Sequence, residues 1–255
     1  MGEAGSFPFL YHQIMNSLYI LTGCSKGLGK AILENLLRDK NNFVVGISRS
    51  PMPSAPNFTH LQIDLGNPQQ LIDQLPNIFP EGKYDKVVLI NNAGWIGEIG
   101  HLGDLDPMGI AQIQLINVVA PGILMNEFVR KYQMGENGKV VVNISSGAAN
   151  KNIDGWSGYS SSKAALNRMT AVAQEESDLN EYGITYYALS PGIVDTPMQG
   201  EIRATSKEDF SAVDTFKSYK SNNELAAPEL VAEKVIHLIE NIKAFSGVLQ
   251  DVRKF

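Results

Sequence analysis

The chain has 255 residues, 44% hydrophobic and 19% charged, which is enough apolar material for one large α/β core and too few charges for extended disorder. Its formal net charge of −6 offers no general basic footprint, so neither nucleic acid nor a membrane surface is an expected partner. One cysteine, Cys24, excludes an internal disulfide framework and fits a reducing compartment, so a cytoplasmic location is expected.

Residues 1–14, MGEAGSFPFLYHQI, lack the basic start and continuous apolar stretch of a secretory signal. They read as an extension or added leader, with Met15 standing just before the first strand-like run and residues 15–255 forming one domain. Strands are expected at 17–21 (SLYIL), 42–48 (NFVVGIS), 60–65 (HLQIDL), 86–91 (KVVLIN), 139–145 (KVVVNIS), 184–190 (ITYYALS) and 247–252 (GVLQDV). Most are β-branched and apolar on both faces, as in parallel strands covered by helices on each side. Helical periodicity falls between them, at 27–39, 68–75, 109–133, 157–179 and 228–241. Alternation of this kind predicts a single-domain, Rossmann-like doubly wound α/β fold with a mostly parallel seven-stranded sheet. No apolar run approaches the ~18–20 residues that cross a bilayer. The polar stretch 195–227 has weak periodicity and follows a strand at the sheet's ligand-binding end, so it is expected to form a substrate lid.

Directly after the first strand comes TGCSKGLGK, residues 22–30, with glycines at 23, 27 and 29 and a helix opening at once. Glycines let a pyrophosphate approach the backbone, and the helix N-terminus offers it N–H groups. A Walker A loop does not fit, because five residues separate Gly23 from Gly29 and Ala31 follows Lys30. At the tip of the second strand an acid would hold the ribose hydroxyl of NAD, whereas arginine accommodates the 2′-phosphate of NADP. Here the sequence reads Ser48-Arg49, and Lys26 in the glycine turn adds a second cation, so NADP(H) is the expected coenzyme.

Near the middle of the chain, GYSSSKAALNRM places Tyr159 and Lys163 four residues apart. On a helix this puts phenol and ammonium on one face, where the cation is expected to lower the phenol pKa and prepare it for proton transfer. The four histidines, His12, His60, His101 and His237, show no ligand spacing, and no catalytic metal is expected.

These motifs, in this order, resemble the short-chain dehydrogenase/reductase family over roughly residues 17–252. TGCSKGLG resembles its cofactor turn, NNAG (91–94) its segment after strand four, NVVAP from Asn117 its active-site asparagine, Tyr159-Ser-Ser-Ser-Lys163 its catalytic pair, and SPGIVDT (190–196) its nicotinamide-covering segment. Ser146 lies thirteen residues before Tyr159, the family's usual spacing, and is preferred to Ser145. SSGAA, the following GW and DTPMQGEIR are most similar to the sepiapterin reductase and bacterial benzil reductase branch, which reduces vicinal dicarbonyls and related activated ketones with NADPH.

The resemblance implies Tyr159 as general acid, Lys163 as its partner and ribose ligand, Ser146 as hydrogen-bond donor to the carbonyl, and Asn117 as holder of a relay water. It implies coenzyme contacts from Gly23, Ser25, Lys26, Gly27, Leu28, Gly29, Arg49, Asp64, Leu65, Asn91, Ala93, Gly94, Tyr159, Lys163, Pro191, Gly192, Val194 and Thr196. For Asp64 the alternative is a turn cap. Trp156, Met198, Gln199 and Asp251 are the substrate-contact candidates. The expected partner is a small carbonyl compound, and the expected assembly a homodimer or homotetramer through helices 109–133 and 157–179. Two alternatives stay open: an NAD-linked alcohol dehydrogenase, and a non-catalytic NADP-sensing regulator.

Overall fold

The computed structural model describes residues 17–255, so the expected extension 1–14, with His12, and Met15 lie outside the described residues. Seven strands form one parallel sheet in the order β3-β2-β1-β4-β5-β6-β7: β1 Ser17–Thr22, β2 Asn42–Ser48, β3 Phe58–Gln62, β4 Lys86–Asn91, β5 Gly138–Ile144, β6 Ile184–Ser190 and β7 Leu249–Asp251. Side chains alternate across a strand, so each strand feeds two cores. Tyr19 and Leu21, Val88 and Ile90, and Tyr187 and Leu189 face one. Leu18 and Ile20, Val87 and Leu89, and Ile184 and Tyr186 face the other.

Helices α1 (Gly27–Leu36) and α8 (Pro228–Glu240) cover the first face, through Ile32, Leu36, Val235 and Ile239. On the second face, α2 (Pro68–Ile78) and α4 (Ala120–Tyr132) contribute Leu71, Ile78, Leu124 and Phe128. α3 (Pro107–Gln114) runs through a π-helical turn, Leu115–Val119, into α4. α5 (Ser157–Leu179) follows β5, and the lid segment folds as α6 (Pro197–Ala204) and α7 (Val213–Ser221).

Several boundaries move. β3 begins at Phe58 rather than at 60 and ends at Gln62, because Asp64 leaves the ladder to build the turn into α2: its Oδ1 accepts from the Gly66 N–H at 2.9 Å. α2 continues beyond 75 with Pro76 inside it, and the helix expected at 109–133 is broken by its π turn. The apolar-run expectation is also corrected. The helical stretch Pro107–Tyr132 is long and apolar enough to cross a membrane by length and composition, with mean hydropathy 1.6 over its best window. Glutamines and asparagines interrupt any single run but do not lower the average enough. Its apolar residues serve two sides, since Leu124 and Phe128 are buried in the core while Ile110 and Val119 are exposed.

The sheet's strand order reverses between β1 and β4, and in such sheets ligands bind in the crevice at the carboxyl ends beside that reversal. The glycine turn follows β1 and NNAG follows β4, one on each side of it. The turn is packed tightly. A Cβ on Gly29 would lie 2.2 Å from the Gly23 carbonyl oxygen, and Gly23 itself, at φ +71°, abuts the Ala93 backbone. Gly29→Ala should therefore lower stability by about 1–3 kcal/mol through overpacking against backbone that cannot yield. Urea unfolding of the two proteins measures this; an unchanged midpoint contradicts the packing described.

Candidate active site

The coenzyme groove is assembled by backbone geometry first. Lys26 stands at the start of α1 without a side-chain cap, and the first turn carries no acid, so the N–H groups there remain available to an anion. Asn92 clamps the turn: its Nδ2 donates to the Thr22 carbonyl at 3.0 Å and the Gly23 carbonyl at 3.3 Å. The Thr22 hydroxyl accepts from the Ala93 N–H at 2.9 Å. Across the groove, Thr196 approaches Gly27, where an added Cβ would lie 3.1 Å from the Thr196 methyl. Gly192 takes a positive φ, +74°, next to the Arg253 side chain. Lys26, in the glycine turn, and Arg49, just past the end of β2, are exposed, and among the described residues no carboxylate forms an ion pair with either. The tip of β2 is held by the Ser48 hydroxyl, which donates to the Ser50 carbonyl at 2.8 Å, and by Gln62, whose amide donates to the Arg49 carbonyl at 3.0 Å.

The remaining coenzyme candidates divide. Ser25 is half-buried in the turn, while Leu28, Leu65 and Val194 are buried and support the groove from the cores. Asp64 uses Oδ1 to cap its own turn, in line with the alternative reading of that residue. Asn91 is turned inward, donating from Nδ2 to Asn143 Oδ1 at 2.8 Å, so it ties β4 to β5. Pro191 is half-buried beside Gly192.

At the end of β5 and on α5 the catalytic candidates meet. Tyr159 is 8% exposed and close enough to the Ser146 side chain to feel its polarity, whereas the neighbouring Ser145 hydroxyl donates to Asn167 Oδ1. The buried Lys163 ammonium donates to the Ile144 carbonyl at 2.8 Å and lies 5.8 Å from the Tyr159 ring centroid, within cation–π range. Asn117, in the π turn, is fully buried. Its Nδ2 donates to the Trp95 carbonyl at 2.9 Å and to Ser162 Oγ at 3.0 Å, and its Oδ1 accepts from the Trp95 N–H at 2.9 Å. One lone pair of Oδ1 is left for a relay water, and it faces Gly94: a Cβ there would lie 3.6 Å from Asn117 Oδ1 and 3.3 Å from Lys163 Nζ.

The electrostatics correct the sequence reading. Burial raises the Tyr159 phenol above its ordinary range, with the Ser146 side chain working the other way, and burial brings the Lys163 ammonium down to about 8. Desolvation penalises the charged forms of both groups and outweighs the expected pull of ammonium on phenol. The phenol is held protonated.

Around Tyr159 lies a third apolar cluster that includes Ile96, Ile113, Trp156, Ile202, Phe210 and Val213. Trp156 stands edge-on to Tyr159, ring centroids 5.5 Å apart, and stacks on Phe210 from the lid at 5.2 Å. Asp154 fastens the lid, accepting from the Ser211 N–H at 2.8 Å and its hydroxyl at 2.9 Å. Met198 packs against this cluster, and Gln199 is buried on the same helix with an unpartnered Oε1. Asp251 is not part of it. On β7 it binds Arg253 through the backbone N–H at 3.0 Å and the guanidinium at 2.9 and 2.5 Å, so its carboxylate is already taken.

A protein-family model for short chain dehydrogenases matches residues 18–207. The chain belongs to the short-chain dehydrogenase family. It is 34% identical over 242 residues to a benzil reductase ((S)-benzoin forming) of Bacillus subtilis, covering 93% of this chain and 99% of that protein. A sepiapterin reductase of Bos taurus is 30% identical over 252 residues, covering 91% and 92% of the two chains. The crystal structure of a short-chain dehydrogenase/reductase from Saccharomyces cerevisiae superposes with a TM-score of 0.79 at 26% identity, covering 92% and 96%. Membership makes this chain an oxidoreductase of a family that works with a nicotinamide coenzyme.

In this short-chain dehydrogenase several contributors were missed from sequence. Thr22 and Asn92 lie inside quoted motifs, but nothing in the spacing marks them as the clamp. Phe210 and Phe216 sit in the weakly periodic lid, where no pattern distinguishes an aromatic facing the site from one facing solvent. The titration of Lys163 provides a check. Its folded value lies below its unfolded value of 10.5, so folding carries the full penalty below about 8, and the penalty is relieved as pH rises between the two. Wild-type stability should therefore rise relative to Lys163→Met across this window, by up to about 3 kcal/mol. Denaturant unfolding at a series of pH values reads the difference, and a flat difference contradicts the lowered ammonium.

Proposed function

We propose that this short-chain dehydrogenase is a cytoplasmic, NADPH-dependent carbonyl reductase of ketones and vicinal dicarbonyls, with Tyr159 as the general acid. The observation that carries the reading is the Tyr159 phenol, held protonated by burial against the Ser146 hydroxyl and the Lys163 chain. Reduction needs a proton donor, and a protonated phenol is one; alcohol oxidation needs the phenolate, which burial disfavours. The benzil and sepiapterin reductases among the relatives support the substrate class.

The residues fit the coenzyme. The glycine turn and the α1 N-terminus would take the pyrophosphate, Arg49 and Lys26 the 2′-phosphate, and Lys163 the nicotinamide ribose. When bound, NADPH supplies the hydride that reduces the carbonyl carbon. Ser146 donates a hydrogen bond to the substrate oxygen as negative charge grows there, and Tyr159 delivers its proton to that oxygen. Lys163 and Asn117 then carry a proton back to the phenol. Exposed Val119 and, on α5, Val172 give helices 107–132 and α5 an apolar face for the proposed homodimer or homotetramer.

Following NADPH and NADH consumption with benzil, 1-phenyl-1,2-propanedione, sepiapterin and simple ketones tests the assignment. Activity on at least one dicarbonyl is expected, with NADPH preferred. Arg49→Ala should raise KM for NADPH while leaving that for NADH nearly unchanged. Tyr159→Phe should lower kcat by a factor of ~10² or more, the scale of general-acid catalysis. Reduction should hold steady through neutral pH and fall only as alkali strips the Tyr159 proton, while the reverse oxidation should gain with pH. A preference for NADH would favour the alcohol dehydrogenase alternative, and NADPH binding without turnover would favour the sensor.

A further inference from the structure

Trp156 is 6% exposed, and its indole N–H has no acceptor among the described residues. A buried donor left without a partner is costly, and native structures keep few of them. Nothing about packing requires it, because a phenylalanine would offer Phe210 a stacking face and Tyr159 an apolar neighbour equally well. The unpartnered N–H belongs to a buried ring whose centroid is 5.5 Å from that of Tyr159, in the cluster that surrounds the phenol. Tyr159 and Ser146 both serve one oxygen. A substrate with a second oxygen on the adjacent carbon needs another donor close by.

We infer that the Trp156 indole N–H is that donor: it hydrogen-bonds the second carbonyl oxygen of a vicinal dicarbonyl whose first carbonyl faces Tyr159, and so selects such substrates over monoketones. The inference rests on Tyr159 as the proton donor. In the balanced reaction, benzil takes one hydride from NADPH on one carbonyl carbon and one proton from Tyr159 on its oxygen, giving benzoin and NADP⁺; the phenol regains its proton from solvent. The second carbonyl is unchanged throughout, and its oxygen keeps the lone pairs that accept from Trp156. Trp156 thus acts as a specificity residue in direct contact with substrate.

The test compares benzil with deoxybenzoin, which keeps both phenyl rings and one carbonyl but replaces the second carbonyl by methylene. Wild type and Trp156→Phe are assayed with NADPH on both. In the variant, kcat/KM for benzil should fall on the order of 10- to 100-fold, the scale of one lost hydrogen bond in a dry site. For deoxybenzoin, which loses no hydrogen bond but shares the altered wall beside Tyr159, the loss should be at least about tenfold smaller than for benzil. Comparing the variant with wild type on each substrate cancels the greater intrinsic reactivity of the diketone. Equal losses on both substrates, or no loss on benzil, overturns the assignment while leaving the reductase reading intact. Absence of wild-type turnover on benzil overturns the Trp156 assignment for this substrate, and absence of turnover on every carbonyl compound of the panel above overturns the reductase reading itself.

A second measurement uses wild-type protein and does not depend on the variant's folding. The chain has two tryptophans, so ¹⁵N-labelled indole signals of Trp95 and Trp156 are separable, with Trp95→Phe assigning them. With NADP⁺ present, benzil should move the Trp156 indole proton downfield and deoxybenzoin should not. An unmoved signal at saturating benzil overturns the proposal.

Discussion

Three hydrogen bonds between the end of β5 and one stripe of α5 set the geometry on which the site depends. Asn143 Nδ2 donates to Thr170 Oγ1 at 2.8 Å, Lys163 Nζ to the Ile144 carbonyl at 2.8 Å, and Ser145 Oγ to Asn167 Oδ1 at 2.5 Å. Positions 163, 167 and 170 follow helical spacing, so together they fix the rotation of α5 about its axis as well as its height along the strand. Tyr159, one turn before Lys163, is thereby carried to Ser146, the second residue past the end of β5. All but the half-buried Asn167 are buried, and each would be costly if its partner slipped by one residue. The seam extends across the sheet to Asn91 on β4, whose amide binds Asn143, so the strands flanking the site are held in one register.

That register explains why so much was legible in the sequence. β2, β4 and β6 fall where their β-branched runs place them, since parallel strands buried on both faces have little freedom to be anything else. α5 begins and ends as its periodicity predicts. Both Ser145 and Ser146 lie just past β5, and Ser145 binds Asn167 of α5 while Ser146 lies by Tyr159, the serine that the thirteen-residue spacing of the resembling family picks out.

What was not legible depends on the third dimension. The π turn at Leu115–Val119 inserts an extra residue into a helix whose sequence reads as uninterrupted, and it serves to bring Asn117 inward to the Trp95 backbone. Asp64 reads from sequence as a coenzyme contact with a turn cap as the alternative, and only the fold shows its Oδ1 accepting from the Gly66 N–H. The lid's helices are short, and their aromatic residues acquire meaning only against Trp156. The Tyr159 phenol was misread for the same reason: sequence shows the lysine four residues on, but not the burial that raises the phenol.

Burial also connects the lid to the chemistry. Phe210 and Phe216 close on Trp156, and Trp156 closes on Tyr159, so the wall that shields the phenol from water comes in part from residues far along the chain. The Asp154–Ser211 hydrogen bonds pin that wall next to Phe210. In such surroundings the neutral phenol is the stable form, and a developing alkoxide, far more basic than a phenolate, can still take its proton. An exposed tyrosine would be no worse as an acid in strength, but it would share its proton with solvent and leave the substrate's growing charge to water. The same enclosure lowers the Lys163 ammonium to about 8, so this group can change charge near neutral pH, as the proton-carrying role proposed for it requires. Aromatic wall and buried pair are therefore coupled: the desolvation that costs stability in the sheet's crevice both raises the Tyr159 phenol and lowers the Lys163 ammonium, the states that the proposed reduction calls for.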